Sequence, residues 1–210
     1  MGEAKRRRLA GLRSRPVRPD SKTLDAFLGC WRAGMRGLPP GHCIAGSRIA
    51  AEVLQTLGYK VEPMSVWCEV ERLDNPAVVI GVSPEILARG GVPNIMPLPP
   101  EYPEMAGFWG HVVLRVEGDG GPWVVDVTVG DYRSPQDGIA MPPVFAGRWT
   151  EAVPGYREVR TQLLAPSTGC AVTYWRRIDD DGGWRITWEQ IELPPNLDAF
   201  TEDVRKWAAR

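Results

Sequence analysis

Apolar residues recur at helical spacing in two stretches of the first sixty residues. Leu24, Phe27, Leu28 and Trp31 mark one face of a predicted helix that opens at Asp20 or Ser21, either of which suits an N-cap, and runs to about Arg36. Gly37-Leu38-Pro39-Pro40-Gly41 then breaks the pattern. A second helix is predicted from His42 or Cys43, with Ile49, Val53, Leu54 and Leu57 apolar and Gly58 placed to end it. Ala45, Gly46, Ser47, Ala50 and Ala51 keep its early turns narrow, so that another element can approach closely.

Beyond Gly58 the period shortens to that of strands. Runs at 59–70 and 77–82 are strand-like, and 84–89 reads as a short helix with Ser83 as cap and Pro84 at its first position. Five prolines (Pro93, Pro97, Pro99, Pro100, Pro103) make 93–103 an irregular loop. Strands are expected at 111–116 and 123–129, with Gly118-Asp119-Gly120-Gly121 between them as a hairpin turn. Further strands are expected near 156–164, 171–178 and 184–191, and a closing helix from Asn196. Helices first and a mostly antiparallel sheet afterwards make an α+β protein.

Composition changes the picture little, and charge more. The 210 residues are 43% hydrophobic and 24% charged, which fits one globular domain able to bury a core without disulfide or metal staples. No apolar run approaches a membrane span, and no apolar segment follows the basic N-terminus as in a secretory signal. The net charge of −1 is uneven: residues 1–20 hold seven Lys/Arg against Glu3 and Asp20. This segment is expected to be a disordered basic arm, of a kind seen on many bacterial and phage proteins. A weak contact with nucleic acid or an anionic surface through residues 5–18 is its functional alternative. No aromatic residue interleaves the basic ones as a base-stacking platform would require.

Cys30, Cys43, Cys68 and Cys170 show no CxxC and no framework spacing, and read as reduced thiols of a cytoplasmic protein. Cys43 differs from the others by its place at a predicted helix start. Free N–H groups and the helix dipole there favour a thiolate and can receive an oxyanion. With two histidines in the chain, candidate bases are few. His111 opens one strand of the predicted hairpin and Asp126 lies in the other, within about two residues of register across the turn. Val124-Val125-Asp126-Val127 reads as a buried strand, and a buried carboxylate needs a partner. Cys43, His111 and Asp126 are thus candidate nucleophile, base and orienting group. Trp67 and Trp109 stand near them by sequence order, Trp109 as a candidate pocket residue, and Trp31 or His42 is a candidate second oxyanion donor. Zinc ligation lacks any recognised spacing and no phosphate-binding loop is present, so neither metal nor cofactor is expected.

Two pieces of the chain, roughly residues 38–130, resemble the transglutaminase-like superfamily, which includes transglutaminases, bacterial transglutaminase-like cysteine proteases and arylamine N-acetyltransferases. They are Gly41-His42-Cys43 with the following helix and LGYKVEPMSV, and GHVVLRVEGDGGPWVVDVTVG from Gly110 to Gly130. The resemblance implies a papain-like core with the nucleophile helix packed on an antiparallel sheet, in a single catalytic domain over 21–210. It also implies Cys43 as nucleophile, His111 as base and Asp126 as orienting residue, with an acyl donor as substrate. Amide or thioester hydrolysis and acyl transfer share this chemistry. A CoA-dependent arylamine-type N-acyltransferase is one alternative, although Pro40-Gly41-His42 stands where the acetyltransferases usually carry Arg-Gly-Gly. A non-catalytic protein- or nucleic-acid-binding module on the same fold is another.

Overall fold

The computed structural model describes residues 21–34, 43–75, 79–81, 110–149, 160–165 (backbone), 168–177 and 182–210. The basic arm, the helix expected at 84–89, the proline-rich loop, His42 and Trp109 lie outside the described residues.

The two expected N-terminal helices form as α1 (Ser21–Gly34) and α2 (Cys43–Thr56). Gly58 ends α2 with a φ of 98°: the Tyr59 N–H donates to Leu54 O at 3.0 Å and the Gly58 N–H to Gln55 O at 3.0 Å, the paired bonds of a Schellman turn. The chain then enters β1 (Lys60–Arg72), followed by β2 (Val79–Gly81), β3 (His111–Gly118) and β4 (Gly121–Asp126). A 3-10 turn at Val129–Asp131 follows, so the strand expected to reach residue 129 stops at Asp126. Two short strands, β5 (Arg133–Ser134) and β6 (Ile139–Ala140), pair with each other. Three more, β7 (Phe145–Arg148), β8 (Arg160–Ala165) and β9 (Cys170–Arg176), return to the main sheet.

That sheet has seven strands among the described residues, all antiparallel, in the order β7-β4-β3-β1-β9-β8 with β2 alongside β1. The coarse α+β class is therefore correct. The long β1 is the organiser. Its first half pairs with β3, from Lys60↔Glu117 to Val66↔His111, and its second half pairs with β9 on one side and β2 on the other. Pro63 sits in the half with a partner on one side only, the setting that tolerates proline in a strand.

Both faces of the sheet are covered. On one face α1, α2 and α4 (Leu197–Ala208) bury Phe27, Trp31, Val53 and Leu54 against Leu114, Val116 and Val125. On the other face Met64, Val66, Cys68, Val113, Val124, Val172 and Tyr174 meet Val129, Ile139 and Met141 from the segment after β4. Burial on both sides explains why β3 reads as a nearly unbroken apolar run rather than a clean alternation.

The strand expected at 184–191 is instead a helix, α3 (Trp184–Gln190). Trp184, Ile186 and Trp188 alternate as in a strand, but Ile186 is 65% exposed while Trp184 is buried. The stripe that packs is Trp184, Trp188 and Ile191, at helical spacing, with the two indoles edge to face at 5.7 Å. Trp31, a candidate oxyanion donor from sequence, belongs to the helical core, edge-on to Phe200 of α4 at 6.0 Å.

Gly81 closes β2 against β1 at a φ of 109°, and a Cβ there would stand 2.3 Å from the Cys68 carbonyl oxygen and 3.1 Å from Tyr132 Cε1. Because the first neighbour is backbone, it cannot swing aside. Gly81→Ala is expected to lower stability by about 2 kcal/mol or more in urea unfolding.

Candidate active site

The strand register decides which side chains share a face. Val66 on β1 lies opposite His111 on β3, and Cys68 lies opposite Tyr174 on β9. Side chains directly opposite point to the same face, so His111, Cys68 and Tyr174 join the apolar face covered by the segment after β4. Asp126 follows Val124 at the two-residue strand period and joins them.

His111 and Asp126 meet there. His111 Nε2 and Asp126 Oδ2 are 2.7 Å apart, and Asp126 is fully buried. The carboxylate is held from several directions. Tyr174 donates its hydroxyl hydrogen to Oδ2 at 2.8 Å, and the Thr128 N–H donates to Oδ1 at 2.9 Å. Thr128 Oγ1 stands 3.5 Å from Oδ1. The Thr128 contact is an aspartate side chain bonding the backbone two residues on, which ends β4 and turns the chain. Tyr132 closes over the imidazole edge-on at 5.4 Å, with its hydroxyl hydrogen-bonded to Cys68.

Cys43 arrives from the helical layer. It is the first residue of α2, where the N–H groups lack intrahelical acceptors and the dipole favours negative charge. One turn later the Ser47 hydroxyl donates to Val112 O at 2.8 Å and pins α2 to the residue after His111. The small residues of α2 allow this approach: Gly46, Ser47, Ala50 and Ala51 are all buried. Cys43 packs with Ile44, Val112 and Trp184 and makes a side-chain hydrogen bond with His111. With Nε2 committed to Asp126, Nδ1 is the ring nitrogen left free for a second partner.

Electrostatics follow from this arrangement. Burial alone pushes the His111 imidazole down. The Asp126 carboxylate, by charge and hydrogen bond, and Cys43 beside it overcome that and lift the pKa to about 10. The other groups around the site keep their protons. Burial first, then the Asp126 charge, pushes Cys68 and Tyr174 well up, while burial and Cys68 do the same for Tyr132.

The structure thus brings Cys43, His111 and Asp126 together. Trp67, singled out by sequence order, lies one residue beyond Val66 with the Arg177 guanidinium 4.3 Å from its ring. Sequence reading passed over Tyr174, Tyr132 and Thr128, which hold the histidine and the carboxylate. Among the described residues no cluster of side chains fits a metal ion, and no helix is long and apolar enough to cross a membrane. Comparison with protein-family models, with curated proteins and with solved structures returns no match to this chain.

Proposed function

We propose that this chain is a cysteine-dependent acyl-transfer enzyme or amide/thioester hydrolase with a papain-like, transglutaminase-like core. The observation that carries the reading is one imidazole with two partners: Asp126 Oδ2 at 2.7 Å on Nε2, and the thiol of Cys43, at the start of a helix, hydrogen-bonded to the same ring. A buried His–Asp pair alone is a common structural motif. The thiol beside it gives it chemistry.

In this reading Cys43 rests as thiolate beside imidazolium. The sulfur attacks the acyl carbonyl carbon and forms the C–S bond, and the N–H groups at the start of α2 receive the oxyanion. As the C–N, C–O or C–S bond of the donor breaks, His111 Nδ1 gives its proton to the leaving group, and an acyl-thioester remains on Cys43. Water or an amine then loses a proton to His111 and attacks that thioester. The acid or amide leaves, and thiolate and imidazolium are restored. Throughout, Asp126 keeps Nε2 protonated and the ring oriented.

An activated ester tests this without knowledge of the natural donor. With p-nitrophenyl acetate, a burst of about one nitrophenolate per chain is expected, with an acetyl group on Cys43 by mass spectrometry. Cys43→Ser is expected to reduce the burst rate by at least about 10³-fold. Acetylation spread over the other cysteines, or a burst unchanged in Cys43→Ser, contradicts the reading.

A further inference from the structure

We infer that Tyr174 is a positioning residue of the Cys43–His111–Asp126 unit: its hydroxyl takes a share of the Asp126 charge and so sets how firmly His111 holds its proton. The inference rests on the acyl-transfer reading for its kinetic consequence, but not for its chemistry.

Tyr174 comes from β9, on the far side of β1 from the hairpin that carries His111 and Asp126. Its hydroxyl reaches the same oxygen as the imidazole, 2.8 Å against 2.7 Å. Oδ2 therefore divides its charge between two donors, while Oδ1 is held by the Thr128 N–H at 2.9 Å. Tyr174 is fully buried between strands, so its hydroxyl has no bulk solvent to turn to. Burial and the facing carboxylate hold its proton on oxygen, so it acts as donor and not as base.

The direction of the effect follows. When His111 loses its Nδ1 proton, the buried carboxylate keeps its negative charge and is left with neutral donors, the Nε2–H and the Tyr174 hydroxyl on Oδ2 and the Thr128 N–H on Oδ1. When His111 is protonated, the imidazolium already compensates that charge. Removing the tyrosine hydroxyl therefore harms the deprotonated form more, and His111 holds its proton more tightly. The other titratable groups facing this cluster are Cys43 from α2, Cys68 from β1 and Tyr132 from the segment after β4. Glu69 acts on Cys68. None of them donates to Asp126 Oδ2 in the hydrogen bonds described. An imidazolium that holds its proton too firmly is a poorer acid toward the leaving group, so Tyr174 tunes the step in which the donor bond breaks.

The test is a ¹⁵N-histidine NMR titration of the full chain, with His42→Gln assigning the two histidines. In Tyr174→Phe the His111 midpoint is expected to move up by about one pH unit with the circular dichroism spectrum retained. Incorporation of 3-fluorotyrosine at position 174, a stronger donor of the same shape, is expected to move it down. With p-nitroacetanilide as donor, whose leaving amine must take the His111 proton, the acylation rate of Tyr174→Phe is expected to fall up to about tenfold. A His111 midpoint that stays in place or moves down in folded Tyr174→Phe overturns the inference. So does a fluorotyrosine midpoint that does not fall. Because the titration needs no substrate, an absence of acetylation in the wild type would overturn the acyl-transfer reading and leave the NMR result to decide this one.

Discussion

Asp126→Ala is expected to be the most damaging single change in the sheet. The carboxylate is fully buried and satisfies His111 Nε2, the Tyr174 hydroxyl and the Thr128 N–H. Alanine leaves two buried side-chain donors without an acceptor and an imidazole without its counter-charge. Breaking one partner of such a pair lowers stability by about 3–5 kcal/mol. Asp126→Asn keeps the volume and one acceptor oxygen, so its stability loss is expected to be about half as large. Both variants are expected to lose roughly 10³–10⁴-fold in acyl-transfer rate, because asparagine cannot support the imidazolium. Urea unfolding and nitrophenolate release separate the two effects. A fast, weakly destabilised Asp126→Asn enzyme would mean that the carboxylate only fills space.

The second large effect is on the pH dependence of stability. His111 has a folded-state pKa lifted to about 10 from an ordinary 6.5. A raised pKa means that the folded chain holds a proton which the unfolded chain has released. The contribution is therefore full below pH 6.5, declines as pH rises through the window, and is gone above about 10. Its size is on the order of 5 kcal/mol, the shift expressed as free energy. Cys68, Tyr132 and Tyr174 also hold protons more firmly when folded, but their unfolded values are 9.0 and 10.0, so they add to the loss only near and above pH 9. In the wild type a Cys43 thiolate releases on folding the proton that His111 takes up, so the His111 decline between pH 6.5 and 9 is read in a chain without that thiol. Urea midpoints of Cys43→Ser are expected to fall across that window, and those of Cys43→Ser/His111→Gln to stay flat. Equal slopes would show that the imidazole is not charged in the fold.

Legibility in the sequence followed the range of the interactions. The end of α2 at Gly58, the β3–β4 turn at Asp119-Gly120 and the start of α2 at Cys43 are set by residues within a turn or two of each other, and each could be read locally. Helix α3 reads as a strand from sequence because Trp184, Ile186 and Trp188 satisfy a strand period as well as a helical one. Only packing of Trp184 with Cys43, Ile44 and Val112 decides between them. The placement of β9 beside β1 has no local mark at all, since Cys68 and Tyr174 meet across more than a hundred residues.

The same contrast holds within the site. His111 and Asp126 sit on one hairpin, 15 residues apart, so register arithmetic found them. Thr128 carried a readable signal, an aspartate two residues before it at the end of a strand. Tyr174 carried a fainter one. It continues the buried face of Cys170 and Val172, and a phenol in such a face needs an acceptor. Which acceptor depends on the order of strands in the sheet, and that is a property of the whole fold.

The proposed activation of Cys43 is best measured as the rate of iodoacetamide alkylation against pH, with mass spectrometry locating the label. Wild type is to be compared with His111→Ala and Asp126→Asn. Rapid labelling of Cys43 is expected to persist well below the ordinary thiol pKa of about 8.5, and to become slow and thiol-like in both variants. A Cys43 that titrates as an ordinary thiol in the wild type, or labels alike in all three proteins, would contradict a thiolate held by His111 and Asp126.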